Sequence, residues 1–153
     1  MGYSHIHEIG NLAVDAIQHG EWKRARPFPE PYVVVSYQAE TIDGTVDLDA
    51  VEEAVDGRTA IWIKPNSDRG NAVIPATVEF SHADFLNLIY HCEEFIGNSS
   101  SMFYEAPFLG VPCKIIGKRQ RGRVIPPGDG HATERMIAVL KAYATEYVCA
   151  SSA

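Results

Sequence analysis

Three consecutive serines between an apolar run and a helical pattern are the most chemically suggestive feature of the chain. They lie in Phe95-Ile-Gly-Asn-Ser-Ser-Ser-Met-Phe-Tyr-Glu-Ala. Backbone N–H groups at a helix start lack intrahelical partners and carry the positive end of the helix dipole. The hydroxyls of Ser99, Ser100 and Ser101 add donors beside them, so the stretch reads as a cradle for a phosphate or diphosphate. The same serines read equally well as caps of the helix alone. The stretch is neither a Walker loop nor the dinucleotide GxGxxG. Glu105 follows one turn later and can face the same mouth. A carboxylate there accepts hydrogen bonds from ribose hydroxyls, or it simply favours the dipole at the start of a helix. Further on, Lys114, Lys118, Arg119, Arg121 and Arg123 cluster in a chain of net charge -7. Such a cluster suits one small anion, or it is a solvated basic loop.

Other candidates carry less. Asp43 with Asp47, and Glu52 with Glu53, read as a loop acid with a cap and as a solvated helix face, not as an acid–base pair. His5 and His7 alternate on a short run with too few further ligands for a metal site. His82 and His91 read as helix residues without a catalytic partner. Cys92, Cys113 and Cys149 are widely spaced and form no CxxC pair, so they read as reduced structural thiols. No metal and no cofactor is expected.

The elements that must position these residues alternate. Tyr32 to Tyr37 is a continuous apolar run, as for a strand buried on both faces. Asp47 opens a helix, LDAVEEAV, that ends at Asp56-Gly57. Thr59 to Lys64 is a second strand and Val78 to Phe80 a short third. Ser81 caps the helix HADFLNLIYHC, with Asp84 completing a capping box. Glu94 to Gly97 is a strand, Ser101 to Leu109 a helix, Cys113 to Ile116 a strand, and His131 to Val148 a closing helix. Strands alternating with helices predict an α/β fold with a parallel sheet. Ligands in such sheets bind beyond the carboxyl ends of the strands, at the loops Gln38 to Gly44, Pro65 to Asn71, Gly97 to Ser101 and Lys118 to Arg123. Residues 1–31 read as an N-terminal helical piece, Asn11 to Gln18, with a proline-rich linker, and residues 32–153 as the sheet domain.

Composition sets bounds. The 153 residues, 46% hydrophobic and 22% charged, suit one globular domain with a normal core. The acidic balance excludes a general nucleic-acid binder. No apolar run approaches the roughly 20 residues that span a bilayer, and the N-terminus lacks the pattern of a signal peptide. A cytoplasmic location away from membranes is the expectation.

The segment GNSSSMFYEAPFLGVPCKIIGKRQRGR closely resembles GNSSSG(I)xEAPxxGxPxxNIGxRQxGR of the UDP-N-acetylglucosamine 2-epimerases. The resemblance is to the hydrolysing branch, which forms N-acetylmannosamine; the other branch carries aspartate–serine–glycine–glycine at the serines. Upstream, Lys64-Pro-Asn-Ser-Asp-Arg-Gly70 is similar to the family's PNxDxG loop. Phe85-Leu-Asn-Leu-Ile resembles its aromatic-led helix, and Gly10-Asn11 with Asp15 resembles the entry to its second domain. The resemblance covers nearly the whole chain.

The resemblance implies the C-terminal, Rossmann-like half of a GT-B fold, with UDP held in the cleft between two domains. Ser99, Ser100 and Ser101 would contact the diphosphate and Glu105 the ribose. Phe85 would pack on or near the uracil, or be an ordinary core residue. Asn66, Asp68 and Gly70 would shape the cleft wall, beside Asn98. Arg119 and Gln120 would lie near the phosphates or at the cleft, and Arg123 would line it; arginine suits phosphates by its bidentate geometry. Three positions depart from the family. Gln38 stands near the place of a family histidine, Met102 replaces a glycine, and Lys118 replaces a common aspartate. The family's acid–base carboxylates come mostly from an N-terminal domain not contained in these residues. The expectation is therefore the UDP-sugar-binding half of an epimerase, inactive alone, with a separate N-terminal-domain subunit or a longer parent chain supplying the rest. The alternatives are a non-catalytic nucleotide-sugar binding module or half of a GT-B glycosyltransferase. UDP or UDP-N-acetylglucosamine is the expected ligand, and self-association is an expected partner state because an open cleft face exposes apolar surface.

Overall fold

The computed structural model describes residues 6–22, 24–41, 43–66, 70–75 and 78–150, the side chains of 146–150 excepted. The run at 32–37 supplies the central strand, β1 (Val33–Ser36). Side chains alternate faces along a strand, so Tyr32 and Val34 enter one apolar cluster while Val33, Val35 and Tyr37 enter the other. All five are buried, which is why the run is apolar at every position rather than at alternate ones. Burying each valine stabilises the fold by roughly 1.5–3 kcal/mol. The Tyr32 hydroxyl donates to the Leu88 carbonyl at 2.8 Å, and burial pushes its pKa up to about 12.

Three strands join β1, all parallel: β2 (Ala60–Trp62), β3 (Phe95–Gly97) and β4 (Cys113–Ile115). The order across the sheet is β2–β1–β3–β4. The chain winds outward from β1 to β2 and then crosses back to β3. The carboxyl ends of β1 and β3 therefore flank a topological switch point, where open α/β sheets place their ligands. Helices cover both faces. On one lies α2 (Leu48–Val55), which buries Val51 and Ala54. On the other lie α3 (His82–His91), α4 (Ser101–Tyr104) and α5 (Ala106–Leu109), burying Leu88, Ile89, Met102 and Ala106. This is a Rossmann-like α/β arrangement, as the alternating pattern predicts.

Both expected N-caps form, with the Asp84 carboxylate accepting from the Ser81 hydroxyl. Asp47 accepts from the Ala50 N–H and Ser81 from the Asp84 N–H, each meeting an unpaired donor of a first turn. Asp56 ends α2 in the left-handed conformation. Two elements differ from expectation. Val78 makes one isolated bridge to Ile63 and no strand follows. The helix expected over 101–109 is broken at Glu105 into α4 and α5. Pro107 explains the break, since it has no N–H to donate backwards and its ring crowds the preceding turn. Cys92 is buried, and burial pushes its thiol up to about 12, in keeping with a structural thiol.

The chain divides into two compact units, residues 21–125 and residues 1–20 with 126–153. The first carries the sheet. The second pairs α1 (Leu12–His19) with α6 (Ala132–Ala150). Asn11 caps α1, while Asp15 reaches across and accepts from the Ala132 and Thr133 N–H groups at 3.1 and 2.7 Å. One helix thus caps the other. Burial alone would raise the Asp15 pKa, but these hydrogen bonds overcome it and hold the carboxyl below its usual range. No helix among the described residues is long and apolar enough to cross a membrane.

Candidate functional site

At the switch point the ends of β1 and β3 are clasped by amides. The Gln38 N–H donates to Asn98 Oδ1 at 2.8 Å, and Asn98 Nδ2 donates to the Gln38 carbonyl at 2.7 Å. Gln38 Oε1 then accepts from the Asn66 N–H at 2.9 Å and from Asn71 Nδ2 at 3.0 Å. Asn71 Oδ1 accepts from the Ala39 N–H at 2.6 Å. From beyond β4, Gln120 Nε2 donates to the Asn98 carbonyl at 2.7 Å. Gln38, Asn71, Asn98 and Gln120 are all buried. Neutral amides both donate and accept, so they join loops without burying charge. The Gln38 side-chain oxygen is committed to holding the 66–71 loop.

Two glycines make this clasp geometrically feasible. Gly97 has φ +133°, and a Cβ there would fall 2.2 Å from the Ser36 carbonyl oxygen. That oxygen accepts from the Asn98 N–H, so the backbones must approach closely. Gly70 has φ +94°, and a Cβ there would meet the Gly44 carbonyl oxygen at 2.5 Å.

On the α3 side, β3 runs through Asn98 into the serines. All three are half-buried, and Ser99 Oγ accepts from the Ser101 N–H at 3.3 Å. The break before α5 turns Glu105 inward, leaving its side chain 13% exposed. Glu105 Oε1 lies 3.6 Å from His82 Nε2. Its Oε2 is buried and has no hydrogen-bond partner among the described residues. Burial pushes the Glu105 pKa up, while the charge of His82 and hydrogen bonds from Ser101 and His82 pull it back. Phe85 stands edge-on to Phe95 with centroids 6.0 Å apart and packs on the core of this face.

The basic loop after β4 is tied down at several points. Glu40 Oε1 accepts from the Lys118 and Arg119 N–H groups at 2.8 and 3.2 Å. Successive backbone N–H groups aimed at one anion form a nest, and here the anion is the chain's own carboxylate. The Arg119 guanidinium lies 3.5 Å from the Asn98 carbonyl. Arg123 donates to the Tyr104 hydroxyl at 2.8 Å and lies over its ring. A cavity of about 790 Å³ opens between this loop and the loop after β1, with Glu40, Asp43 and Asp47 facing Lys118, Arg119 and Arg121. Arg119 lines it; the serines, Glu105 and Phe85 do not. Its lining carries three acidic and three basic side chains. No group of three metal-ligating side chains occurs among the described residues.

A family model described as UDP-N-acetylglucosamine 2-epimerase matches residues 1–126. The chain belongs to that family. It is 30% identical over 113 residues to the polysialic acid biosynthesis protein P7 of Escherichia coli, covering 61% of this chain and 29% of that protein. It is 34% identical over 79 residues to a UDP-N-acetylglucosamine 2-epimerase of Neisseria meningitidis serogroup B, covering 44% and 21%. It is 48% identical over 40 residues to a hydrolysing GDP/UDP-N,N'-diacetylbacillosamine 2-epimerase of Campylobacter jejuni, covering 26% and 10%. The chain spans less than a third of the length of these curated relatives.

Within this epimerase-family chain the expected site residues fall into two groups. Ser99, Ser100, Ser101 and Glu105 lie together around α4, with Ser101 bonded to Glu105. Gln38, Asn66, Asn98 and Gln120 join the clasp, with the Arg119 guanidinium 3.5 Å from the Asn98 carbonyl. Asp68 lies outside the described residues. Sequence reasoning named the loops Gln38 to Gly44 and Pro65 to Asn71 but not the roles of Glu40 and Asn71 within them, and it missed the pairing of His82 with Glu105. Nothing in the spacing links His82 to Glu105, or Glu40 to the loop after β4.

Proposed function

We propose that this chain is the UDP-binding half of a hydrolysing UDP-N-acetylglucosamine 2-epimerase, one half of a GT-B arrangement. The reaction converts UDP-N-acetylglucosamine and water into N-acetylmannosamine and UDP. The C2 proton and UDP are lost by anti-elimination, and water then adds across the double bond. The observation that carries the reading is the buried Glu105 carboxylate beside Ser99–Ser101, with one oxygen lacking a donor among the described residues. Ribose hydroxyls supply donors of that kind, and the hydroxyls of Ser99–Ser101 suit the diphosphate. Proton transfer at C2 needs an acid–base pair within hydrogen-bond reach. Asp43 is bonded to Thr45 and Asp47 caps α2, while Glu52 and Glu53 lie on an exposed helix face. On this reading an N-terminal domain, on the same polypeptide or on a partner subunit, supplies the proton-transferring groups.

Isothermal titration with UDP and with UDP-N-acetylglucosamine tests the binding claim, and heat is expected with both. A folded sample that gives heat with neither overturns it. Ser100→Ala is expected to weaken UDP by about 1 kcal/mol, the net worth of one hydrogen bond to phosphate. Unchanged affinity would make the serines caps alone. These 153 residues by themselves are expected to show no turnover; turnover would place the proton chemistry within them.

A further inference from the structure

We infer that His82 is a positioning residue for Glu105: standing against Oε1, it holds the carboxylate turned inward in the form that accepts ribose hydroxyls, so that without it the acid-side loss of nucleotide-sugar affinity begins at higher pH. The inference rests on the reading of Glu105 as the ribose acceptor. To accept two hydroxyls the carboxylate must be ionised, because a protonated carboxyl turns one acceptor into a donor. Burial works against that form. A cation nearby restores it, and the His82 ring stands 3.6 Å from Oε1.

The two partners differ in exposure. The His82 side chain is 54% exposed and that of Glu105 is 13% exposed. The imidazole can thus exchange its proton with water while acting on a group that water barely reaches. Other ionisable groups nearby are committed elsewhere. On α3, Asp84 accepts from the Ser81 hydroxyl at 2.7 Å as part of the cap. On α4, Ser101 bonds to Glu105 but is neutral, and Tyr104 is engaged by Arg123. The α5 residues, Ala106–Leu109, carry no titratable side chain. The pair thus steadies Oε1, while Oε2 stays buried without a hydrogen-bond partner among the described residues.

The test is the pH dependence of UDP-N-acetylglucosamine affinity, by titration calorimetry on the whole chain, for the wild type, His82→Ala, His82→Lys and Glu105→Gln. The doubly esterified diphosphate of that ligand keeps its charge across the range. Wild-type affinity is expected to fall at acid pH as Glu105 takes up a proton. In His82→Ala that fall should begin at higher pH, leaving the variant about two- to fivefold weaker on the acid side, the range for a partly exposed ion pair. Above neutrality the two should bind alike. His82→Lys keeps the cation and should keep the wild-type acid limb, while Glu105→Gln should bind weakly with no such limb. Coincident wild-type and His82→Ala profiles, or a loss equal at every pH, would overturn the inference and leave the functional reading standing. A folded wild type that binds at no pH would overturn the functional reading, and the inference with it.

Discussion

Asn98 is wholly buried, and both polar atoms of its side chain hold the Gln38 backbone. Asn98→Ala removes both bonds and leaves a buried N–H and a buried carbonyl without partners. The expected cost is about 1–3 kcal/mol per orphaned group, read as a lower urea midpoint with unchanged slope. A chain as stable as the wild type would mean that water replaces the amide. Gly97→Ala should be worse tolerated, because its Cβ would overlap the Ser36 carbonyl that the next residue's N–H bonds. Glu105 behaves oppositely to Asn98: it is buried with one acceptor unused among the described residues. Residues that hold the fold tend to have their hydrogen-bonding capacity filled internally, and residues that bind tend not to. By that criterion Asn98 holds the fold, whereas Gln120, whose Oε1 is buried without a hydrogen-bond partner among the described residues, sorts with Glu105.

The elements were legible where a local signal names them. Tyr32–Tyr37 has apolar residues on both faces of one strand, Asp47 and Ser81 announce helix starts, and Gly110 announces a stop. The break at Glu105 was written in Pro107 but lay inside an otherwise helical run. Val78–Phe80 has strand-like residues, yet only Val78 finds a partner. The clasp was not legible, because Gln38 and Asn98 meet across 60 residues of sequence and amide side chains have no pattern that reveals a distant partner. The pairing of α1 with α6 was equally hidden, since Asp15 has the look of a first-turn acid in its own helix. Its depressed pKa sets the sign of a pH effect. A carboxyl held below its ordinary value stabilises the fold above that value, and the contribution is lost as pH falls through its folded pKa. Hydrogen-exchange protection at the Ala132 and Thr133 amides is therefore expected to drop on acidification below about pH 4. Asp15→Asn should lower that protection at neutral pH and remove most of its acid dependence. Protection that is equal in both proteins would show that the cap contributes little.

At the scale of the molecule, one unit is continuous in sequence and the other is built from both sides of it. Shortening the chain to end at Ile125 takes away α6, the Asp15 hydrogen bonds and the cover over Val14 and Ile17, which are 1% and 7% exposed. The shortened chain is expected to bind more of an apolar dye while the Tyr32 environment in the other unit keeps its near-ultraviolet signal. Loss of both signals together would mean that the units do not fold separately. The arrangement also has a consequence during synthesis. Thr133, which Asp15 caps, is made 118 residues after it. At a ribosome's pace of roughly 5–20 residues per second, α1 waits roughly 6–24 s for its partner. Through that interval its apolar stripe lacks the partner that buries it. Within these residues α1 is made early and sheltered late, so a chaperone acting on the nascent chain has that interval in which to bind it.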